Sequence, residues 1–442
     1  MSNSKLRVQM LLTVALLAAD QTSAATLEQA LAQAWQSNPG LQAERANLAA
    51  AVESVGQAEG GYYPQIKVFG GVGTAHQDVQ FMAIPGFTLP IDKIILNTQQ
   101  VGVEADQALY AGGKISAGVD VAENLRDAEE AKLHAIEQGI LLDAAQAYMD
   151  VLQSQAVLQL QQSDEQVLQQ ALDQAQASFD NGEVTHTDVD QAKARLAGAR
   201  AVSIQAQGAL AAASAQYERV IGVAPDALQQ PASLSGLPAT QQDALALAGH
   251  NYSVVAARYA STAAHSDVDI AESALKPSLV LTAQVSKSRE PQFLFERLDT
   301  RSIMLNFSMP LYSGGSLNSQ VRAAERQAES SELQASDAER GARDQVIRAW
   351  QAYQTAQAGL AAIQAQITAA QSAYDGVLAE HKEGERTTLD VLNAEQELLD
   401  AQVNQVRAQR DEIVAEYALR AAVGALTAAD LKLPVAPTSS GG

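Results

Sequence analysis

The sequence predicts an α+β membrane protein with an internal two-fold repeat, each half holding a pair of strands and a very long helical hairpin. Three observations carry this. Leu109-Tyr110-Ala111-Gly112-Gly113-Lys114 returns as Leu311-Tyr312-Ser313-Gly314-Gly315-Ser316, and the same offset of 202 residues relates Asn181-Gly182-Glu183 to Glu383-Gly384-Glu385 and Val220-Ile221-Gly222 to Ala422-Val423-Gly424. Equal offsets over more than a hundred residues are the signature of duplication. Before each double glycine lie two runs with period-two alternation, each about ten residues long, enough to cross a bilayer when tilted. After each double glycine comes a proline-free helical pattern of about 67 residues, or about 100 Å at the helical rise.

In chain order, residues 1–25 read as an export signal. Lys5 and Arg7 precede an apolar stretch from Met10 to Ala19, and Ser23-Ala24-Ala25 supplies small residues for cleavage. The first repeat, 26–222, opens with two Ala-rich helices broken at Asn38-Pro39-Gly40. Its strands are expected at about 64–75 and 98–111, separated by a loop from His76 to Asn97, and its helical hairpin at 113–222. A Pro/Ser/Leu-rich connector spans 223–242. The second repeat, 243–426, has Asn251 and Pro277 matching Asn38 and Pro64 at an offset of 213, so the first half carries a longer insertion between its strands. Strands are expected at about 277–288 and 300–313, the latter alternating Ile303, Leu305, Phe307, Met309 and Leu311. A hairpin at 315–424 follows, then a tail from 427 to 442.

Alternation implies one apolar and one polar face, and each strand pair alone would suit a soluble half-buried hairpin as well. Four strands cannot close a barrel, and an open sheet edge is not tolerated in lipid. A membrane role therefore requires several copies, and three would supply twelve strands.

Composition excludes several classes. The formal charge is −22, against nucleic-acid binding. There is no cysteine, so no disulfide, thiolate metal site or cysteine nucleophile exists. The six histidines show no metal-ligand spacing, and no glycine-rich phosphate loop follows a strand. No enzyme activity, cofactor or metal is expected. Aromatic residues are only 5% while Ala and Gln abound, which favours long helices packed through small side chains.

The order and spacing of these features, with the segments Phe179-Asp180-Asn181-Gly182-Glu183-Val184-Thr185-His186-Thr187-Asp188 and Gly384-Glu385-Arg386-Thr387-Thr388-Leu389-Asp390-Val391-Leu392-Asn393, resemble the TolC family of outer-membrane export conduits. The resemblance covers Thr26 to Leu431. It implies a homotrimer with a 12-stranded barrel in the outer membrane of a Gram-negative bacterium, embedded in its lipid. A coiled-coil helical tunnel continues the barrel through the periplasm toward an adaptor protein and an inner-membrane pump. It also implies an iris-like gate at the periplasmic tip. An acidic constriction falls on Asp390 and Asn393, the latter an aspartate in the family member most readily compared, so the ring would carry three carboxylates instead of six. Gate links fall on Arg386, Asp188 and His381, where the family has tyrosine. Docking tips fall on Asn181, Gly182, Glu183, Glu383, Gly384 and Glu385. The segment from Gly384 to Leu392 leans toward type I protein secretion. The rival is an exported coiled-coil adaptor or surface fibre without a barrel.

Overall fold

The computed structural model describes residues 25–78, 93–292 and 295–433. The export signal, most of the first inter-strand loop and the end of the tail lie outside the described residues. Elements follow in the order α1 (Leu27–Ser37), α2 (Pro39–Glu59), β1 (Gln65–Asp78), β2 (Lys93–Tyr110), α3 (Lys114–Asp180), α4 (His186–Ile221), α5 (Gln241–Leu247), α6 (Tyr252–Ser273), β3 (Ser278–Gln292), β4 (Phe295–Ser308), α7 (Ser316–Lys382) and α8 (Thr388–Ala422). Among the described residues, no helix is long and apolar enough to cross a membrane. The chain forms two compact units, one built from described residues of Met1–Gln42, His134–Asn251 and Arg343–Gly442, the other from Ala43–Leu133 and Tyr252–Ala342.

The second unit holds one antiparallel sheet in the order β1-β2-β3-β4. Directly paired residues share a face, so the register assigns every side chain to one of two surfaces. One surface carries Ile66, Ala105, Ala283 and Ile303 in one row, with Val68, Val103 and Val285 in the next and Leu281 beside Leu305 below. Ile66, Val68, Val103, Val285, Ile303 and Leu305 are open to the surroundings, Val68 at 75% and Ile303 at 78% exposure, and Ala105, Ala283 and Leu281 are half-buried. The opposite surface is mostly polar, with Phe69, Val280 and Met304 interspersed. Lys67 pairs with Glu104 at 2.5 Å, Thr282 donates to Asp106 at 2.8 Å, and Asn306 donates to Thr282 at 3.2 Å, so a polar ladder runs across all four strands.

Strand limits differ from those expected. Pairing between β1 and β2 continues to Asp78 opposite Lys93, into the stretch read as loop, because Ile94, Ile95 and Leu96 extend the ladder. β4 begins at Phe295 and ends at Ser308, so Met309 and Leu311 are not in the strand. Pro310 lacks the N–H that a ladder needs. Its counterpart in the first half is Ala108, and there the strand runs through a bulge to Tyr110. The double glycines end both halves with positive φ, 66° and 93° at Gly112 and Gly113, 63° and 84° at Gly314 and Gly315, where side chains are disfavoured. At Gly112 a Cβ would also lie 2.7 Å from the Ser273 carbonyl oxygen.

The first unit is helical. Leu27, Leu31, Leu141, Tyr148, Tyr217, Ile221, Tyr417 and Leu426 form its main core. Val346 and Trp350 pack with Ala244, Leu419 and Val423 in a second cluster. The Tyr148 hydroxyl lies 2.8 Å from the Ala25 carbonyl and 2.6 Å from that of Gln229, and accepts from the Gln229 N–H at 3.0 Å. This ties the connector to α3. Burial pushes its pKa up to about 12. Glu137 accepts from Trp35 at 2.9 Å and from the Ala428 N–H at 2.8 Å. Burial alone would raise its pKa, but His134 and these donors hold the carboxyl below the usual range. The asparagines matched in the sequence do matching work: Asn38 donates to the Val220 carbonyl and Asn251 to that of Ala422. Each thereby caps the helix that ends at a glycine two residues further on.

Candidate functional site at the helical tips

The turns between α3 and α4 and between α7 and α8 are built alike. Gly182 at φ 78° and Gly384 at φ 82° end the long helices. In each turn the residue after the glycine donates back five positions, Glu183 to Ser178 at 2.9 Å and Glu385 to Glu380 at 3.0 Å. That is a Schellman-type stop, which satisfies the last helical carbonyls. Asn181, Glu183 and Glu383 stand exposed around these glycines.

The return helices start from capping boxes. Thr185 and Thr387 are the N-caps, and Asp188 and Asp390 are the residues that reach back. The Asp188 carboxylate accepts from the Thr185 N–H and hydroxyl, both at 2.8 Å. Asp390 accepts from the Thr387 hydroxyl at 2.7 Å and its N–H at 3.0 Å. These donors hold both carboxyls below the usual carboxylate range. One oxygen of each aspartate is thus engaged in starting a helix.

The other residues expected at a gate are arranged differently from a direct Arg386–Asp188 link. Arg386 donates to Glu380 at 2.7 Å, and His381 Nδ1 lies 2.9 Å from the Arg386 carbonyl oxygen. Within one chain, no hydrogen bond or ion pair joins Arg386 to Asp188 among the described residues. Asp188 and His381 do line one cavity of about 210 Å³, with Val184, Thr388 and Leu392.

Two features here carry no sequence signal. Arg195, on α4, donates to the Leu392 carbonyl at 3.3 Å and to Asn393 Oδ1 at 2.5 Å, so it bridges α4 to α8. Nothing local marks it, since the bridge depends on which helices pack together. Deeper in, Asp164 and Glu395 line a cavity of about 300 Å³ with Arg195, Leu168, Leu392 and Asp400. Asp164 is buried, and neither carboxylate receives a hydrogen bond among the described residues. Burial, reinforced by the Asp400 charge, raises the Asp164 pKa, and burial with Asp164 nearby raises that of Glu395. Among the described residues no acidic or histidine cluster is spaced for a metal ion.

The outer membrane efflux protein family matches this chain twice, over residues 30–223 and 244–425. The chain belongs to that family. As a member of the outer membrane efflux protein family it is a TolC-like outer-membrane channel protein, and its function is export. The outer membrane efflux protein BepC of Brucella suis is 34% identical over 414 residues, covering 93% of this chain and 88% of that one. The alkaline protease secretion protein AprF of Pseudomonas aeruginosa is 30% identical over 317 residues, covering 69% and 65%. Among solved structures, the outer membrane protein VceC of Vibrio cholerae superposes with a TM-score of 0.76 at 23% identity, covering 90% of this chain and 96% of that one. Family members are channels rather than enzymes.

Proposed function

We propose that three copies of this chain close a 12-stranded barrel in the outer membrane, continued by a coiled-coil helical tunnel. Cargo handed over by an inner-membrane pump and a periplasmic adaptor leaves the cell through it. The observation that carries this reading is the open four-stranded sheet with an exposed apolar face and both β1 and β4 as free edges. Such a face is stable in lipid only when every edge is paired, and pairing β1 of one copy with β4 of the next does that. A coiled-coil adaptor without a barrel leaves this face unaccounted for. The names of the relatives span efflux and protease secretion, so the conduit serves cargo set by its pump, protein or drug.

The tips formed by Asn181, Gly182, Glu183, Glu383, Gly384 and Glu385 are the docking points for the adaptor. The constriction lies at Asp390 and Asn393, with three carboxylates around the axis, and Arg386, Asp188 and His381 flank it. Opening is an iris-like separation of α7 and α8 from α3 and α4.

The absence of native cysteine allows a direct test. Single cysteines along β1 (Ile66, Val68, Gly70) are combined with single cysteines along β4 (Ile303, Leu305, Phe307), and the membranes are oxidised. The expected result is a covalent species three times the chain mass for at least one register. Monomer in every combination, from a chain that reaches the envelope, would sink the shared barrel.

A further inference from the structure

On β3 and β4 the apolar face of the sheet gives way to basic residues toward the strand ends that carry the hairpin loop, while Val72, Val101 and Ile95 continue it on β1 and β2. Arg301 completes the row of Val68, Val103 and Val285, and above it the same face carries Lys287 opposite Val101, then Arg289 opposite both Gln99 and Arg297. Four basic side chains thus share one patch in a chain whose formal charge is −22. All four are exposed. Asp299 is the acidic neighbour in these rows, and it is engaged by Arg297 at 2.7 Å and 3.0 Å. Lys287, Arg289 and Arg301 form no ion pair among the described residues. Gly70 and Gly71 contribute no side chain beside them, and a recess of about 700 Å³ opens there, lined by Val72, Val101, Lys287, Arg289 and Arg297.

We propose that this patch is a docking site for the phosphorylated headgroup of an anionic glycolipid in the outer leaflet, its acyl chains lying along the apolar rows below. The inference rests on the lipid-facing reading of that surface. Charge complementarity selects the partner. A guanidinium presents a planar fork that matches two phosphate oxygens, and basic groups placed at headgroup level beside an apolar surface are the usual recognition of acidic lipids. A free phosphate would meet the same cations but gain nothing from the adjoining rows of Val and Ile, whereas a lipid engages both. The hairpin ends are opposite the strand ends that lead into α3 and α7, so the patch falls at the outward leaflet when the helices point to the periplasm.

The full chain, purified in detergent, is titrated with fluorescent diphosphorylated lipid A, with phosphatidylcholine and inorganic phosphate as separate competitors. The expected result is saturable binding that weakens at least tenfold in the combined variant Lys287→Gln, Arg289→Gln, Arg301→Gln. Neither competitor should displace the lipid at matched concentration. Equal affinity of wild type and variant would overturn the proposal, and displacement by inorganic phosphate would reduce the patch to an anion site. The β1–β4 cysteine cross-link separates the two layers of argument. Cross-linked trimers that bind no lipid A overturn this site alone, whereas a chain that reaches the envelope and never cross-links overturns the shared barrel and the site with it.

Discussion

Asp164 is a residue whose environment works against its charge. It is buried beside Leu168 and Leu392 with Asp400 and Glu395 nearby, while the guanidinium of Arg195 is directed to Leu392 and Asn393. Its folded pKa therefore lies above its unfolded one. A carboxyl with a raised folded pKa is neutral and cost-free at low pH. As pH rises through the folded pKa, the unfolded chain ionises more readily and stability is lost. Asp164→Asn should therefore raise the melting temperature at pH 8, with the gain shrinking to nothing toward pH 4. Circular dichroism melts across that range check it, and a variant less stable at pH 8 would show that the carboxylate has an attractive partner. Asp188 and Asp390 have the opposite sign: their folded pKa values are lowered, so the support they give is present at neutral pH and lost in acid. Their capping role is legible in a local pattern, threonine three residues before an acidic side chain at a helix start, although the family resemblance marks both only as gate residues. Asp164 has no such signal, since its burial depends on α4 and α8, which follow it by dozens and hundreds of residues.

At the scale of elements, the bridge from Arg195 to Asn393 ties α8 to α4 near the tip, beside the packing of Leu196 and Ala199 against Leu392. An iris that moves α7 and α8 away from α3 and α4 must break it. A hydrogen bond to a charged group contributes about 1.5–3 kcal/mol, enough to bias a two-state opening by roughly tenfold or more per chain. Arg195→Met and Asn393→Ala are both expected to raise single-channel conductance or open probability in planar bilayers. Asn393→Asp, which turns the bridge into an ion pair, should lower it. If all three conduct like wild type, the bridge is packing only. The elements themselves were largely readable from sequence: the glycine stops, the proline-free helices and the alternating runs all have local causes. Several strand limits escaped, at the hairpin ends of both strand pairs and at the end of β4. Pro310 lacks the N–H a ladder needs, but the alternation of Met309 and Leu311 on either side of it reads as a longer strand. The extension of β2 to Lys93 came from cross-strand pairing with β1, which no single segment displays.

At the scale of the whole molecule, the two faces of the sheet must meet different media, and this sets a sharp contrast between adjacent residues. From Leu279 to Val285 and from Ile303 to Phe307, the apolar rows rise over about seven residues, or about 23 Å at the strand rise. At a tilt of about 40° that is roughly 18 Å of height, which fits within the apolar band of outer-membrane barrels, roughly 25 Å. The strands continue well beyond it, β2 reaching 18 residues, so their outer parts stand above the hydrocarbon. Ile303 lies in the middle of the band and Ser302 beside it on the polar ladder, opposite Gln284. An arginine at the lipid midplane costs about 2–4 kcal/mol, and three-fold repetition multiplies this to roughly 6–12 kcal/mol for a trimer. Ile303→Arg should therefore leave the chain unassembled and degraded in the envelope. Ser302→Arg adds the same charge to the polar side, so it should assemble normally and shift the channel toward anions. Heat-resistant trimer on gels and reversal potential in a salt gradient read the two outcomes. If Ser302→Arg abolished assembly while Ile303→Arg was tolerated, the faces would be reversed, and the basic patch beside Lys287 would then line the conduit rather than the membrane.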